Sequence, residues 1–230
     1  MITYHNDIVQ GTDEWLALRC GLLTAGGMNL ILTPTLKVAS NDKERAHVYE
    51  MAAQRLTRYV EPHFVSDDML RGHVDEIEAR TVYADNFGEV TQCGFITNDK
   101  WGFTLGYSPD WLVGDDGLGE AKSRRQKYQM QTLTEFMPKG IIPPDYLLQC
   151  QTGLLVSERK WLDFVSYCGG LPMMVIRVYP DDQIQEAILQ AAAVFESRVA
   201  EKMAIYHAML SEKGARLVPT ERKIVQEMFV

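Results

Sequence analysis

No stretch of the 230-residue chain approaches the roughly 18 uninterrupted apolar residues that a membrane-spanning helix requires, so a membrane protein is not expected. The opening Met1-Ile2-Thr3-Tyr4-His5-Asn6-Asp7 has no basic region followed by an apolar run, and no secretory leader is expected either. Together these point to a cytoplasmic protein. Cys20, Cys93, Cys150 and Cys168 are far apart and form no CxxC pair, which argues against a zinc site and a disulfide framework and leaves reduced structural thiols. His5, His47, His63, His73 and His207 show no HxxxH-type spacing, so histidine catalysis has no support. Positive charge is in deficit, with 23 Lys and Arg against 31 Asp and Glu and a formal net charge of −8. That balance excludes a bulk nucleic-acid coat protein, but it permits an acidic metal site and a local basic groove on an acidic body. The densest basic cluster is Lys122-Ser123-Arg124-Arg125-Gln126-Lys127. Its Arg124, Arg125 and Lys127 suit backbone phosphates and a solvated polar loop equally well.

The apolar and charged fractions, 46% and 23%, are those of an ordinary globular chain able to bury a substantial core. Helical signals fill the first 88 residues. Thr12 can cap a helix over Asp13–Arg19 that Gly21 ends, Thr24 opens a short helix to about residue 32, and Asn41 with Glu44 starts a helix whose Val48, Met51, Ala52 and Leu56 recur at helical spacing. A further helix is predicted over 72–87, with Ile77, Val82 and Tyr83 as burial candidates. The pattern then changes to β-branched and aromatic runs at 90–97 and 103–108. Trp111–Val113 and 118–122 flank Gly114-Asp115-Asp116-Gly117, a strong turn signal, and read as a hairpin. Helices at 126–136 and 145–156, strands at Trp161–Tyr167 and 174–179, and a long helix from 181 to about 210 complete the chain. Ile184, Ile188, Ala191, Phe195 and Val199 lie on one stripe of that last helix. With no repeat, low-complexity tract or linker, one α/β domain over residues 1–230 is expected: a helical part at 1–88, a sheet-bearing core at 89–180 and the helix at 181–210, with a central mixed sheet flanked by helices.

The chemistry concentrates in Tyr107-Ser108-Pro109-Asp110 and Gly119-Glu120-Ala121-Lys122. Alternation along a strand puts Glu120 and Lys122 on one face and Ala121 on the other. A regular four-residue loop over 114–117 would pair Asp110 opposite Ala121 and turn its carboxylate away from Glu120. Convergence of the two acids therefore demands an odd-numbered loop or a β-bulge near Asp110, which Pro109 favours. Two carboxylates and the Ala121 carbonyl, if a strand end spares it from the ladder, form a donor set for Mg²⁺, with an adjacent lysine to hold a water and offset charge developing on phosphorus. Taken alone, a D…ExK pattern arises often by chance among surface strands.

Four blocks in order extend the pattern along the chain: Trp15-Leu16-Ala17-Leu18-Arg19-Cys20-Gly21 with Thr24-Ala25; Gly72-His73-Val74-Asp75-Glu76-Ile77-Glu78-Ala79-Arg80; Ser108-Pro109-Asp110 with Glu120-Ala121-Lys122; and Gln149-Cys150-Gln151. In these the sequence resembles the lambda-exonuclease family of phage recombination (alkaline) exonucleases, within the PD-(D/E)XK nuclease superfamily. The resemblance implies a restriction-endonuclease-like core and a Mg²⁺-dependent 5′→3′ exonuclease (Mn²⁺ substituting) that degrades one strand of linear duplex DNA to mononucleotides and leaves a 3′ tail for recombination. It implies Asp110, Glu120, the Ala121 carbonyl and Glu76 at the metal, and Lys122 on the attacking water. Arg19 would grip a 5′-phosphate, helped by Thr24 and by Gly26, which stands where relatives carry a serine. Gln149, rather than Gln151, would reach the DNA, since residues two apart on a helix face different ways. Trp15 is expected in the core. A homotrimer encircling DNA, a single-strand annealing partner protein and a bacterial host cytoplasm also follow from the resemblance. The alternatives are another PD-(D/E)XK endonuclease or repair nuclease, or a catalytically silent DNA-end-binding module.

Overall fold

The computed structural model describes residues 1–62 and 66–222, so His63 lies outside the described residues. Strands and helices alternate around two four-stranded mixed sheets, which refines the expectation of one central mixed sheet. The first sheet has the order β1-β3-β4-β2, from β1 (Ile2–His5), β2 (Leu23–Thr24), β3 (Phe95–Asn98) and β4 (Leu105–Tyr107). The second is β5-β6-β7-β8, from β5 (Trp111–Val113), β6 (Gly117–Ser123), β7 (Trp161–Tyr167) and β8 (Met174–Val178). In each, one parallel pair (β2 with β4, β6 with β7) sits among antiparallel ones.

β1 and β2 correct the reading of the first quarter as purely helical. Both are short and gain their stability from long-range pairing, β1 with β3 and β2 with β4, which local periodicity does not report. Thr24 belongs to β2. The expected helix after it shrinks to one 3₁₀ turn at Ala25–Gly27 and the single-turn α2 (Met28–Ile31). α1 (Asp13–Arg19) and α3 (Asp42–Thr57) form where expected, with Thr12 and Asn41 accepting the predicted cap hydrogen bonds. α4 spans Asp67–Phe87, five residues longer at its start than expected, because Ser66 caps it and Asp67 and Asp68 suit its first turn. Only Ala79 and Tyr83 of α4 are buried; of its three burial candidates Tyr83 is buried, Val82 is half-buried and Ile77 is 47% exposed. α5 (Gln126–Gln131) gives way to a π turn at Thr132–Phe136. α6 (Leu147–Ser157) is enclosed on nearly every side, and α7 (Asp182–Ser211) buries Ile188, Ala191, Phe195 and Val199 of the expected stripe. Arg55 binds Glu196 through two 2.7 Å hydrogen bonds, and Arg198 reaches Glu44 at 2.7 Å, tying α3 to α7. All four cysteines are free thiols.

Two glycines permit close approaches that shape the centre of the molecule. A Cβ on Gly153 of α6 would stand 2.7 Å from the Tyr107 ring, and one on Gly119 of β6 would stand 2.0 Å from Trp111 Nε1. Tyr107 can thus lie against α6 and Trp111 flat on β6. A Cβ on Gly26 would instead meet nothing within 4 Å. Gly119→Ala is therefore expected to destabilise the protein by about 1–3 kcal/mol through overpacking, whereas Gly26→Ala should stay within about 0.5 kcal/mol of the parent. Urea unfolding of the two variants checks the contrast.

Candidate active site

The hairpin register decides whether the two acids meet. Val113 pairs with Gly117 and Trp111 with Gly119, so the loop has three residues, Gly114-Asp115-Asp116, and Asp110 comes opposite Glu120. Arg159 locks the turn by donating to the carbonyls of Gly114 at 2.8 Å and Gly117 at 2.7 Å. At the other end of β5 the Asp110 N–H donates to Gly119 O at 3.2 Å, the residue that Trp111 also faces. The odd-numbered loop supplies the irregularity that the chemistry demands.

Glu120 and Lys122 share the face of β6 that looks toward β4 and α6, whereas Ala121 points into a small apolar cluster with Ala79, Tyr83, Trp111 and Val165. Glu120 is 1% exposed, and its two oxygens accept three hydrogen bonds. Tyr107 Oη donates to Oε2 at 2.7 Å, while Lys122 Nζ and Gln149 Nε2 each donate to Oε1 at 2.6 Å. Asp110 accepts from the Ala121 N–H at 2.6 Å. A residue's N–H and C=O leave a strand on the same side, so the Ala121 carbonyl also faces β5, whose ladder ends at the Trp111–Gly119 pair. The condition for that carbonyl to act as a ligand is met.

Glu76 and Asp110 line one cleft of about 310 Å³ with Gln10, His73 and Arg80. Burial raises the Asp110 carboxyl well above the usual carboxylate range, and repulsion from Glu120 and Glu76 adds to it. Glu76 is raised by burial and by Glu120, against the pull of Arg80 and His73. Burial works to lower Lys122, but Glu120 and Asp110 outweigh it and hold the ammonium above its ordinary value. Three carboxyl groups thus confront one permanently charged lysine in a desolvated crevice. Among the described residues no three His, Cys, Asp or Glu side chains already stand in ligand geometry. The donor chemistry nonetheless fits a hard divalent cation: the set is all oxygen, anionic, and mutually repelled for want of positive charge.

Arg19 lies 4.1 Å over the Trp15 ring, and its Nη1 donates to Ser108 Oγ at 3.0 Å. Burial pulls its pKa down, to about 10, and no carboxylate among the described residues acts on it. Trp15 departs from the expected core role. It is half-buried, donates Nε1 to Gly94 O and Ser108 Oγ at 3.1 and 3.0 Å, and serves as a shelf for the guanidinium. The parallel β2–β4 pairing sets Thr24 beside Gly106, so Thr24 and the exposed Gly26 leave the sheet at the same end as Ser108 and Asp110. Gln149 reaches Glu120, whereas Gln151 is 2% exposed and donates to Tyr179 O at 2.8 Å. Tyr107 is the site residue that sequence reasoning missed: an aromatic within a strand carries no signal that its hydroxyl meets a carboxylate thirteen residues later.

Comparison with known proteins identifies the family and the fold. The family model of the YqaJ-like viral recombinase domain matches residues 14–160. The alkaline exonuclease LHK-Exo from Laribacter hongkongensis is similar at 30% identity with a TM-score of 0.71, over 87% of this chain and 100% of that one. Its complex with dAMP is similar at 31% identity with the same TM-score and coverage. A phage-related exonuclease from Haemophilus somnus 129PT shares the fold, at 11% identity and a TM-score of 0.56 over 80% of this chain and 96% of that one. No curated protein matches the sequence.

The raised Asp110 carboxyl has a consequence for stability. A folded-state pKa above the unfolded value contributes stability that is complete below about pH 4 and is lost as pH rises through the folded value. Without divalent metal, Asp110→Asn is expected to be more stable than the parent by about 1–3 kcal/mol near pH 8, the gap closing toward pH 4. Thermal melts across that range, in the presence of a chelator, check the sign.

Proposed function

The chain belongs to the YqaJ-like viral recombinase family and is a deoxyribonuclease related to alkaline exonucleases; on that premise we propose that it degrades one strand of linear duplex DNA from the 5′ end, releases mononucleotides and leaves a 3′ tail for recombination. The observation that carries the reading is the meeting of Lys122 with Glu120 at 2.6 Å, with Asp110 on the intervening Ala121 N–H at 2.6 Å and Glu76 lining the same cleft as Asp110. Asp110, Glu120 and the Ala121 carbonyl would hold the ion, with Glu76 on its outer side. When bound, Mg²⁺, or Mn²⁺ in its place, would polarise the scissile phosphate and acidify a water.

The protein's own residues supply the rest. Lys122 stays protonated, so it acts as a donor: it orients the attacking water and offsets charge growing on the phosphate. Tyr107 and Gln149 hold Glu120 in one rotamer, so its oxygen lone pairs are preoriented. Arg19 keeps its charge at neutral pH, meets no quenching carboxylate among the described residues, and lies over the Trp15 ring, which presents its planar fork to a 5′-phosphate. Ser108 ties that fork to the strand end that carries Asp110, which couples recognition of the end to the catalytic centre. Thr24 and the backbone at Gly26 border the same region. The dAMP complex of LHK-Exo is consistent with a mononucleotide product. A homotrimer that encircles duplex ends and a single-strand annealing partner belong to this reading, since a ring needs positive charge only along its channel.

Two variants and two substrates test it. Lys122→Ala is expected to lose at least about a hundredfold in cleavage rate while binding DNA nearly as before; undiminished turnover would remove Lys122 from the mechanism. Arg19→Ala should abolish the preference for 5′-phosphorylated over 5′-hydroxyl ends, measured by initial rates on matched duplexes. Linear duplex should be degraded with Mg²⁺ and spared with EDTA, and covalently closed circles should survive both. Cutting of circles would indicate an endonuclease, and binding without metal-dependent loss of substrate a silent end-binding module.

A further inference from the structure

The cations that follow the catalytic strand are not equivalent. Arg125 forms a two-point pair with Asp68 at 2.8 and 2.9 Å, and Arg71 is shared between Asp68 at 2.9 Å and Asp75 at 3.7 Å. Lys122 is engaged by Glu120. Arg124 and Lys127 face no carboxylate among the described residues; aromatic rings hold them instead. The Arg124 guanidinium lies 5.2 Å from the Tyr128 ring centroid and 5.3 Å from that of Tyr146, and donates Nη1 to Tyr146 Oη. Lys127 Nζ lies 4.6 Å from Tyr128, whose side chain is 43% exposed. Arg124 Nε is enclosed and has no hydrogen-bond partner among the described residues.

Position adds to this. The Arg124 N–H continues the β6–β7 ladder by donating to Tyr167 O at 2.7 Å, so the strand alternation that aligns Glu120 with Lys122 extends to Arg124. Arg124 therefore sits one step further along the face that carries the catalytic acid and lysine, about 6–7 Å beyond Lys122 by strand rise. The Tyr146 ring lies between them, 5.6 Å from Lys122 Nζ.

We propose that Arg124 and Lys127, set by Tyr146 and Tyr128, form a binding site for backbone phosphates of the DNA strand adjoining the scissile position. The proposal rests on the reading of the protein as a DNA nuclease. Unquenched cations on a body of net charge −8 give this edge of the crevice a local positive potential. A guanidinium with an unpaired donor matches a phosphate oxygen, and the rings limit the rotamer freedom lost on binding. The neighbouring Arg125, neutralised by Asp68, takes no part.

The experiment is DNA binding in EDTA, so that nothing is cut, by fluorescence anisotropy of a 5′-phosphorylated duplex with a 3′ overhang, titrated at several salt concentrations. Arg124→Gln is expected to weaken binding about tenfold and to lower the slope of log K against log[salt] by about one. Lys127→Gln, on an exposed side chain that folding does not need, should lower the slope in the same way with a smaller loss of affinity. Arg125→Gln should change affinity less than about twofold, because its charge is already paired. Unchanged affinity and slope in folded Arg124→Gln and Lys127→Gln would overturn the proposal, as would an equal loss in Arg125→Gln, which would make the effect one of bulk charge. A parent protein that neither binds nor degrades DNA would overturn the nuclease reading itself, and this site with it.

Discussion

A single buried carboxylate organises the molecule's centre. Glu120 is almost wholly removed from solvent, and an ionised group in that position persists only if its oxygens are met by donors. The donors come from three separate elements: Tyr107 on β4, Lys122 on β6 itself and Gln149 on α6. Bringing them together requires the two sheets to abut with α6 against both, and Gly153 makes the final approach of Tyr107 possible. The same requirement explains why α6 is buried nearly all round although it carries polar residues: Gln149 and Gln151 face opposite duties, one toward the acid and one toward the chain entering α7.

Much of this was legible in the sequence, and the parts that were not share a physical reason. Caps, helical stripes and the Gly-Asp-Asp-Gly turn are local, so α1, α3, α7 and the β5–β6 hairpin formed where they were read. The odd-numbered loop followed from asking how Asp110 and Glu120 could face each other at all, a chemical demand placed on backbone register. β1 and β2 went unseen because four and two residues carry too little periodicity, and their partners lie some eighty or more residues away. Ile77 misled because an apolar residue on an amphipathic-looking helix reads as core when nothing in its neighbourhood says that the sheet has already been covered. Tyr107 and the shelf made by Trp15 were invisible for the same cause: each depends on a side-chain meeting across the fold.

The placement of charge reconciles an acidic chain with an anionic substrate. Several basic residues are spent on structure: Arg55 and Arg198 fasten α7, Arg177 satisfies the buried Asp163, and Arg159 holds a turn. Arg19 at one side of the crevice and Arg124 at the other pair with no carboxylate among the described residues and rest on aromatic rings. A ring orients a guanidinium without cancelling its charge, whereas an acid would do both. Net charge is therefore a poor guide here, and pairing state is a good one.

α4 is fastened to the sheet in two different ways along its length. Its later turns are anchored by burial of Ala79 and Tyr83, with the tyrosine hydroxyl 2.7 Å from Asp163. Its earlier turns expose Leu70, Val74 and Ile77 and are tethered by charged and polar contacts, Asp68 to Arg125 and Asp75 to Ser123. Mobile ions weaken the second kind of attachment and hardly touch the first. Glu76 is mounted between the two, so ionic strength bears on the attachment at one side of this acid and leaves the buried anchor at its other side in place.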